Sequence, residues 1–193
     1  MKKTLLMAAL AAGLLASVQA AHAAPVLAGS QVTGSVSGPA TALLGADSGY
    51  SSDPGSNTTT VLDDAFAQEF ISDDFALIVD FGSDGRVRFF DNTGSGQLTG
   101  HYELVFQFSG LAGALQGLLL GAGPAGGLFS GELLAPDTVR FVLSDVDFGS
   151  AFGSLEATLV PEPGSLLLAG LGLAVLVRQR RRSGQSSHTC REN

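Results

Sequence analysis

Phe75-Ala76-Leu77-Ile78-Val79-Asp80-Phe81-Gly82-Ser83-Asp84-Gly85-Arg86-Val87-Arg88-Phe89-Phe90-Asp91 is the stretch that decides the fold. Phe75, Leu77, Val79 and Phe81 precede a polar, glycine-containing break, and Val87 and Phe89 follow it. Apolar residues at every second position share one face of a strand, so two strands and a turn are expected. The turn sets the register. A two-residue loop at Asp84-Gly85 would place Phe81 opposite Arg88 and mix apolar with charged side chains. A three-residue loop, Ser83-Asp84-Gly85 with Gly85 left-handed, pairs Phe81 with Val87, Val79 with Phe89 and Asp80 with Arg88, and is the arrangement expected.

The same alternation recurs in Tyr102, Leu104, Phe106 and Phe108, in Val139, Phe141 and Leu143, and in Leu155, Ala157 and Leu159. Fainter versions mark 31–37 and 58–66. Six or seven strands separated by glycine-rich breaks predict an all-β fold, an antiparallel β-sandwich of jelly-roll or immunoglobulin-like type. The segment 110–127 reads as a long Gly/Ala/Leu connection with a helical turn, its leucines a contact surface if exposed. The segment 47–60 reads as a turn-rich, poorly packed loop in which Asn57-Thr58-Thr59 forms a glycosylation sequon.

The 193 residues, 45% hydrophobic and 15% charged, suit one globular domain between apolar ends. Charge is segregated. Lys2 and Lys3 lie at the start and five arginines lie from Arg178 onward, so residues 24–160 hold only Arg86, Arg88 and Arg140 against sixteen acidic residues, a net −13. Such a surface repels phosphate backbones, which removes nucleic acid as a partner and favours solubility of the domain.

Metal and redox chemistry find little support. The single cysteine, Cys190, is in the polar C-terminal tail, so the domain has no disulfide and no thiolate site. His22 and His188 fall in the end segments, and His101 reads as a strand-end residue. Asp80, Asp84, Gly85 and Asp91 occupy positions 1, 5, 6 and 12 of an EF-hand-like loop. Gly82 replaces a ligand, an aspartate stands where the bidentate glutamate belongs, and the flanks are strands. Asp73-Asp74 and Asp145-x-Asp147 read as solvated strand ends, with a cation shared between strands as the alternative. Gly121-x-Gly123-x-x-Gly126 has the form of a dinucleotide fingerprint, but Pro124 interrupts it and no amphipathic helix follows. No metal and no cofactor are expected.

The two ends carry the clearest functional signals. Lys2 and Lys3, an apolar run from Leu5 to Val18 and the small residues Ala21 and Ala23 form a signal peptide, 1–23, cleaved after Ala23 or, failing that, after Ala20. An acidic domain is expected over 24–159. Then Val160-Pro161-Glu162-Pro163-Gly164 leads into 165–177, which has no charge, and into Arg178, Arg180, Arg181 and Arg182. The prolines stop the last strand. Thirteen helical residues span about 20 Å of a ~30 Å hydrocarbon layer, too short for a durable anchor. The arginines form a basic stop that would hold the C-terminus, 183–193, in the cytoplasm.

Residues 160–182 resemble the PEP-CTERM sorting signal of exported proteins from exopolysaccharide-producing Gram-negative bacteria, a tail also named after ice-binding proteins. Pro161, Glu162 and Pro163 correspond to the signature triplet, 165–177 to the transmembrane helix and Arg178–Arg182 to the basic stop. The resemblance implies recognition and removal of the tail by a membrane enzyme, exosortase, after transient residence in the inner membrane, and delivery to the cell surface or extracellular matrix. The domain is expected to be a non-enzymatic structural or binding module, with exopolysaccharide as the partner considered. Its aromatics argue weakly for sugar, since there is no tryptophan and only Tyr50 and Tyr102 carry a polar handle. The alternative is a secreted polysaccharide hydrolase on a jelly-roll scaffold with paired carboxylates. Ice binding would need a flat threonine array, and Thr58-Thr59-Thr60 is the only cluster.

Overall fold

The hairpin forms in the register that the alternation requires. Phe81 pairs with Val87, Asp80 with Arg88 and Val79 with Phe89. Gly85 sits at φ +93°, its N–H bonded to the Gly82 carbonyl, and a Cβ there would lie 2.8 Å from the Leu159 carbonyl oxygen. Glycine is required both for the left-handed backbone and for this close approach.

A computed structural model describes residues 27–62 and 67–162. These hold eleven strands: β1 (Gln31–Ser37), β2 (Leu43–Gly45), β3 (Thr58–Thr60), β4 (Phe70–Ser72), β5 (Leu77–Phe81), β6 (Arg86–Asp91), β7 (Gln97–Ser109), β8 (Leu115–Leu120), β9 (Gly126–Ala135), β10 (Thr138–Asp147) and β11 (Ser154–Pro161). They form two antiparallel sheets packed as a sandwich, ordered β3-β1-β7-β10-β9 and β2-β4-β5-β6-β11-β8. The all-β sandwich expected from the alternation is therefore present. The signal peptide and the helix expected at 165–177 lie outside the described residues.

Phenylalanines tie the sheets together. From the second sheet Phe70, Phe81 and Phe89, and from the first Phe106, Phe108, Phe129 and Phe141, turn inward. Phe106 meets Phe81 at 5.0 Å and Phe70 at 5.6 Å between ring centroids, and Phe89 meets Phe141 at 4.8 Å. Most of these contacts are edge-on, the geometry that the ring quadrupoles favour. All three arginines among the described residues are paired: Arg86 with Asp84 at 3.1 Å, Arg88 with Asp80 at 2.6 Å, and Arg140 with both Glu103 and Glu132.

Several sequence expectations need correction. The segment 110–127 is no simple connection with a helical turn, since it contains β8 and the start of β9, the edge strands of the two sheets. Phe75 does not belong to β5. It closes the turn after β4, with φ +58° and its ring 61% exposed. His101 lies inside β7 on its outward side, because the strand starts at Gln97 and not beside the histidine. The segment 47–60 is better ordered than its composition suggests. It contains a 3-10 turn at Ala46–Ser48 and β3, and the Asp47 carboxylate accepts the N–H and hydroxyl of Thr60, both at 2.9 Å.

Candidate functional site

β11 places the only sorting residues that fall within the described part of the chain. Leu155, Ala157 and Leu159 are buried at every second position, and β6 and β8 flank the strand. Proline cannot donate to a ladder. The register against β8 accordingly slips between Val160 and Pro161, and Pro161 pairs with Leu115 as the last residue of the strand. Glu162 follows one residue beyond the strand and is still tied to the rim. Its N–H donates to the Ala114 carbonyl at 2.8 Å, and its exposed carboxylate accepts the Gln116 side-chain amide, also at 2.8 Å. The chain is thus delivered from a fixed point on the rim of the sandwich.

Residues 159–182 match the PEP-CTERM protein-sorting motif. The PEP-CTERM match implies an exported protein, sorted at a membrane toward the cell surface and processed by an exosortase. No curated protein and no solved structure matches the chain. Of the PEP-CTERM triplet, Pro161 and Glu162 are described, and both touch β8 or the residue before it. Pro163, the basic stop at Arg178, Arg180, Arg181 and Arg182, and the signal cleavage residues Ala21 and Ala23 lie outside the described residues. Among those described, no helix is long and apolar enough to cross a membrane; the expected span at 165–177 is not among them. Sequence reasoning found the PEP-CTERM triplet but not its partners, because Gln116 is 46 positions away and carries no motif.

The other end of β11 holds a second feature. Phe152, just before the strand, has φ +54° and is 70% exposed, and Phe75, just before β5, has the same unusual backbone. β5 and β11 are both antiparallel to β6, so the two phenylalanines stand at one end of the sandwich, opposite the PEP-CTERM residues. The β6–β7 turn links them. Asn92 donates its side-chain amide to the Phe75 carbonyl at 2.9 Å, Asp91 accepts the Phe152 N–H at 3.3 Å, and the Phe152 ring lies where a Cβ on Gly94 would be. Bulky residues in the left-handed region cost about 1–3 kcal/mol each. Two such residues, on separate loops that are each hydrogen-bonded to the β6–β7 turn, leave most of their side chains in solvent. Burial works against ionisation of Asp91, but hydrogen bonds from Thr93, Gly96 and Phe152 outweigh it and hold the carboxyl below its usual range.

The acidic residues singled out from sequence are not gathered into one site. Asp80 is buried against Arg88, Asp84 faces Arg86, and Asp91 braces the β6–β7 turn. Asp73 accepts the Thr41 N–H and hydroxyl, Asp145 the Gly100 N–H, and Asp147 the Gly149 N–H. Among the described residues no group of three potential ligands could hold a metal ion. Gly126, the last glycine of the dinucleotide-like pattern, opens a strand and not a helix. Both tyrosines are engaged, Tyr50 donating to the Gln68 carbonyl and the buried Tyr102 to Asp74. In β3 Thr59 is buried, the Thr58 hydroxyl bonds Thr33 and Thr60 bonds Asp47, so the cluster offers no flat array.

One pair of carboxylates had no sequence signature. Glu69, before β4, and Asp80, in β5, are adjacent across the sheet, and both are almost fully buried. Burial raises the Glu69 pKa to about 7; the Phe81 N–H bond opposes the shift and the Asp80 charge adds to it. Burial also raises that of Asp80, against the pull of Arg88.

Proposed function

We propose that the sandwich is a non-enzymatic binding module displayed at the cell surface, and that its Phe75/Phe152 end contacts exopolysaccharide. In this reading the newly exported chain spans the inner membrane through 165–177 with Arg178–Arg182 inside. Exosortase then releases the domain near Pro161-Glu162-Pro163. The observation carrying it is the opposition of the two ends of β11: the sorting residues leave from one and the exposed rings stand at the other. An eight-residue strand separates them by roughly 25 Å, so rings at that distance from the exit point are free to meet matrix polymer. Exposed phenylalanine rings, one of them packed on Gly94 in a turn that also carries Thr93 and Ser95, suit the CH-rich faces and hydroxyls of uncharged sugars better than they suit ions.

The hydrolase alternative is less well supported. A groove of about 270 Å³ between β1, β2 and the 52–57 loop has, among the described residues, Asp53 as its only acidic lining residue. The adjacent pair Glu69 and Asp80 is sealed from substrate.

The test is co-sedimentation of the released domain with exopolysaccharide from a producing host, comparing wild type with Phe75→Gly/Phe152→Gly. Glycine removes both rings and accepts the left-handed backbone. Binding is expected in the wild type and lost in the double variant. Equal sedimentation of a folded double variant would reject the assigned surface. Turnover of any matrix polysaccharide by the wild type would reject the non-enzymatic reading.

A further inference from the structure

Two residues of a peptide that an enzyme must read are already in use by the domain that carries them. Pro161 is the last ladder residue of β11, paired with Leu115, and Glu162 is held through both its backbone and its side chain by Ala114 and Gln116. A processing enzyme that reads the triplet as an accessible extended segment competes with all three contacts. β8 is an edge strand with β11 as its neighbour in the sheet; Leu115 is buried in the core, but Gln116 and Glu162 are exposed, so their contacts can part while Leu115 stays packed. Gln116 is exposed, on a stretch from Gly110 to Gly131 without a single charge, and it supplies the only side-chain bond to Glu162 among the described residues.

We infer that the beginning of β8 is a latch on the sorting triplet: it holds Pro161 and Glu162 against the folded domain and slows their processing, with Gln116 as the positioning residue. The latch rests on the reading that exosortase acts at this triplet. Because the contacts exist only when β8 and β11 are paired, the latch links processing to the state of the domain. A chain whose rim is not assembled exposes the triplet. A folded chain releases it only when the rim opens, a local event of the kind that edge elements undergo.

Gln116→Glu places a second carboxylate against Glu162 and opens the latch by repulsion. Gln116→Leu removes the bond without adding charge. Neither change touches the core. The experiment is a pulse-chase of the full chain in an exosortase-containing host, following conversion of full-length to shortened protein, with thermal midpoints of the released domains as the folding control. Gln116→Glu should convert at least about fivefold faster than wild type, the scale of one net hydrogen bond, and Gln116→Leu should fall between them. Matched midpoints with equal rates, or slower conversion in both variants, would overturn the latch while leaving the sorting reading intact. Absence of any conversion of the wild type would instead reject the sorting reading, and the latch with it.

Discussion

The two ends of β11 have opposite designs. At the Pro161 end the chain is held by ordinary, unstrained contacts, a ladder pair and two hydrogen bonds to Glu162. At the Phe152 end two bulky residues adopt backbone conformations that glycine would accept more easily, and they expose their rings. We propose that the first end holds a segment that is later surrendered and that the second tolerates strain to present a surface. Between them lies the phenylalanine core, which carries the stability that both ends draw on.

Three stability measurements sharpen this contrast. The largest effect belongs to the middle. Phe106, fully buried among Phe70, Phe81 and Phe141, should cost about 3–5 kcal/mol on replacement by alanine. That is a large part of the stability of a single domain. Urea unfolding of the released domain reads this directly, and a loss below about 1 kcal/mol would mean that the two sheets are not joined through these rings.

The next effect depends on pH. Folding raises the Glu69 pKa from 4.5 to about 7, so the folded state keeps a proton that the unfolded chain gives up. The stability linked to that proton is fully present below pH 4.5 and is lost as pH rises toward 7, by on the order of 1–3 kcal/mol. Asp80 and Tyr50 face the group, with Arg88 paired to Asp80, and Asp80 moves in the same direction. Asp73 and Asp91, held below their usual range, act oppositely and only in acid. Urea midpoints of wild type should therefore fall between pH 5 and 8, and those of Glu69→Gln should fall less. Parallel profiles would place the pH dependence elsewhere.

The smallest effect is expected where the rings are exposed. Phe75→Gly and Phe152→Gly give up little buried surface and relieve a strained backbone, although glycine gains freedom in the unfolded chain. The two terms offset to within about 1 kcal/mol each. A loss of several kcal/mol would show the rings to be part of the core, and the contrast between the two ends would disappear.

Much of the centre was legible in the sequence. Period-two alternation in β6, β7, β10 and β11 coincides with burial because each of those strands has one face on the core. The Gly85 loop fixed its register because the competing turn would have put Arg88 opposite Phe81. The edges were harder to read. Leu118-Leu119-Leu120 is continuous where alternation is needed, and β8 and β9 expose Leu119, Leu128 and Leu134 at the rim, so no periodic signal marks them. β2 and β4 are three residues each, too short to show a period. Phe75 was misread because it extends the alternation of Leu77, Val79 and Phe81 past the true end of the strand. Ser72-Asp73-Asp74 before it is the turn signal that outranks the pattern. At the candidate site the triplet was readable as a motif, while its attachment to Ala114 and Gln116 is a product of strand pairing that no local pattern encodes.

We propose that this domain is exported and then freed from its tail at the sorting triplet. Intact-mass measurement of the cell-surface fraction from an exosortase-containing host tests it most directly. The expected result is a chain that begins at Ala24 and ends near Pro161-Glu162-Pro163, with Glu162→Ala leaving a folded but full-length protein in the inner membrane. Wild-type surface protein that still carries Cys190 and Asn193 would contradict it.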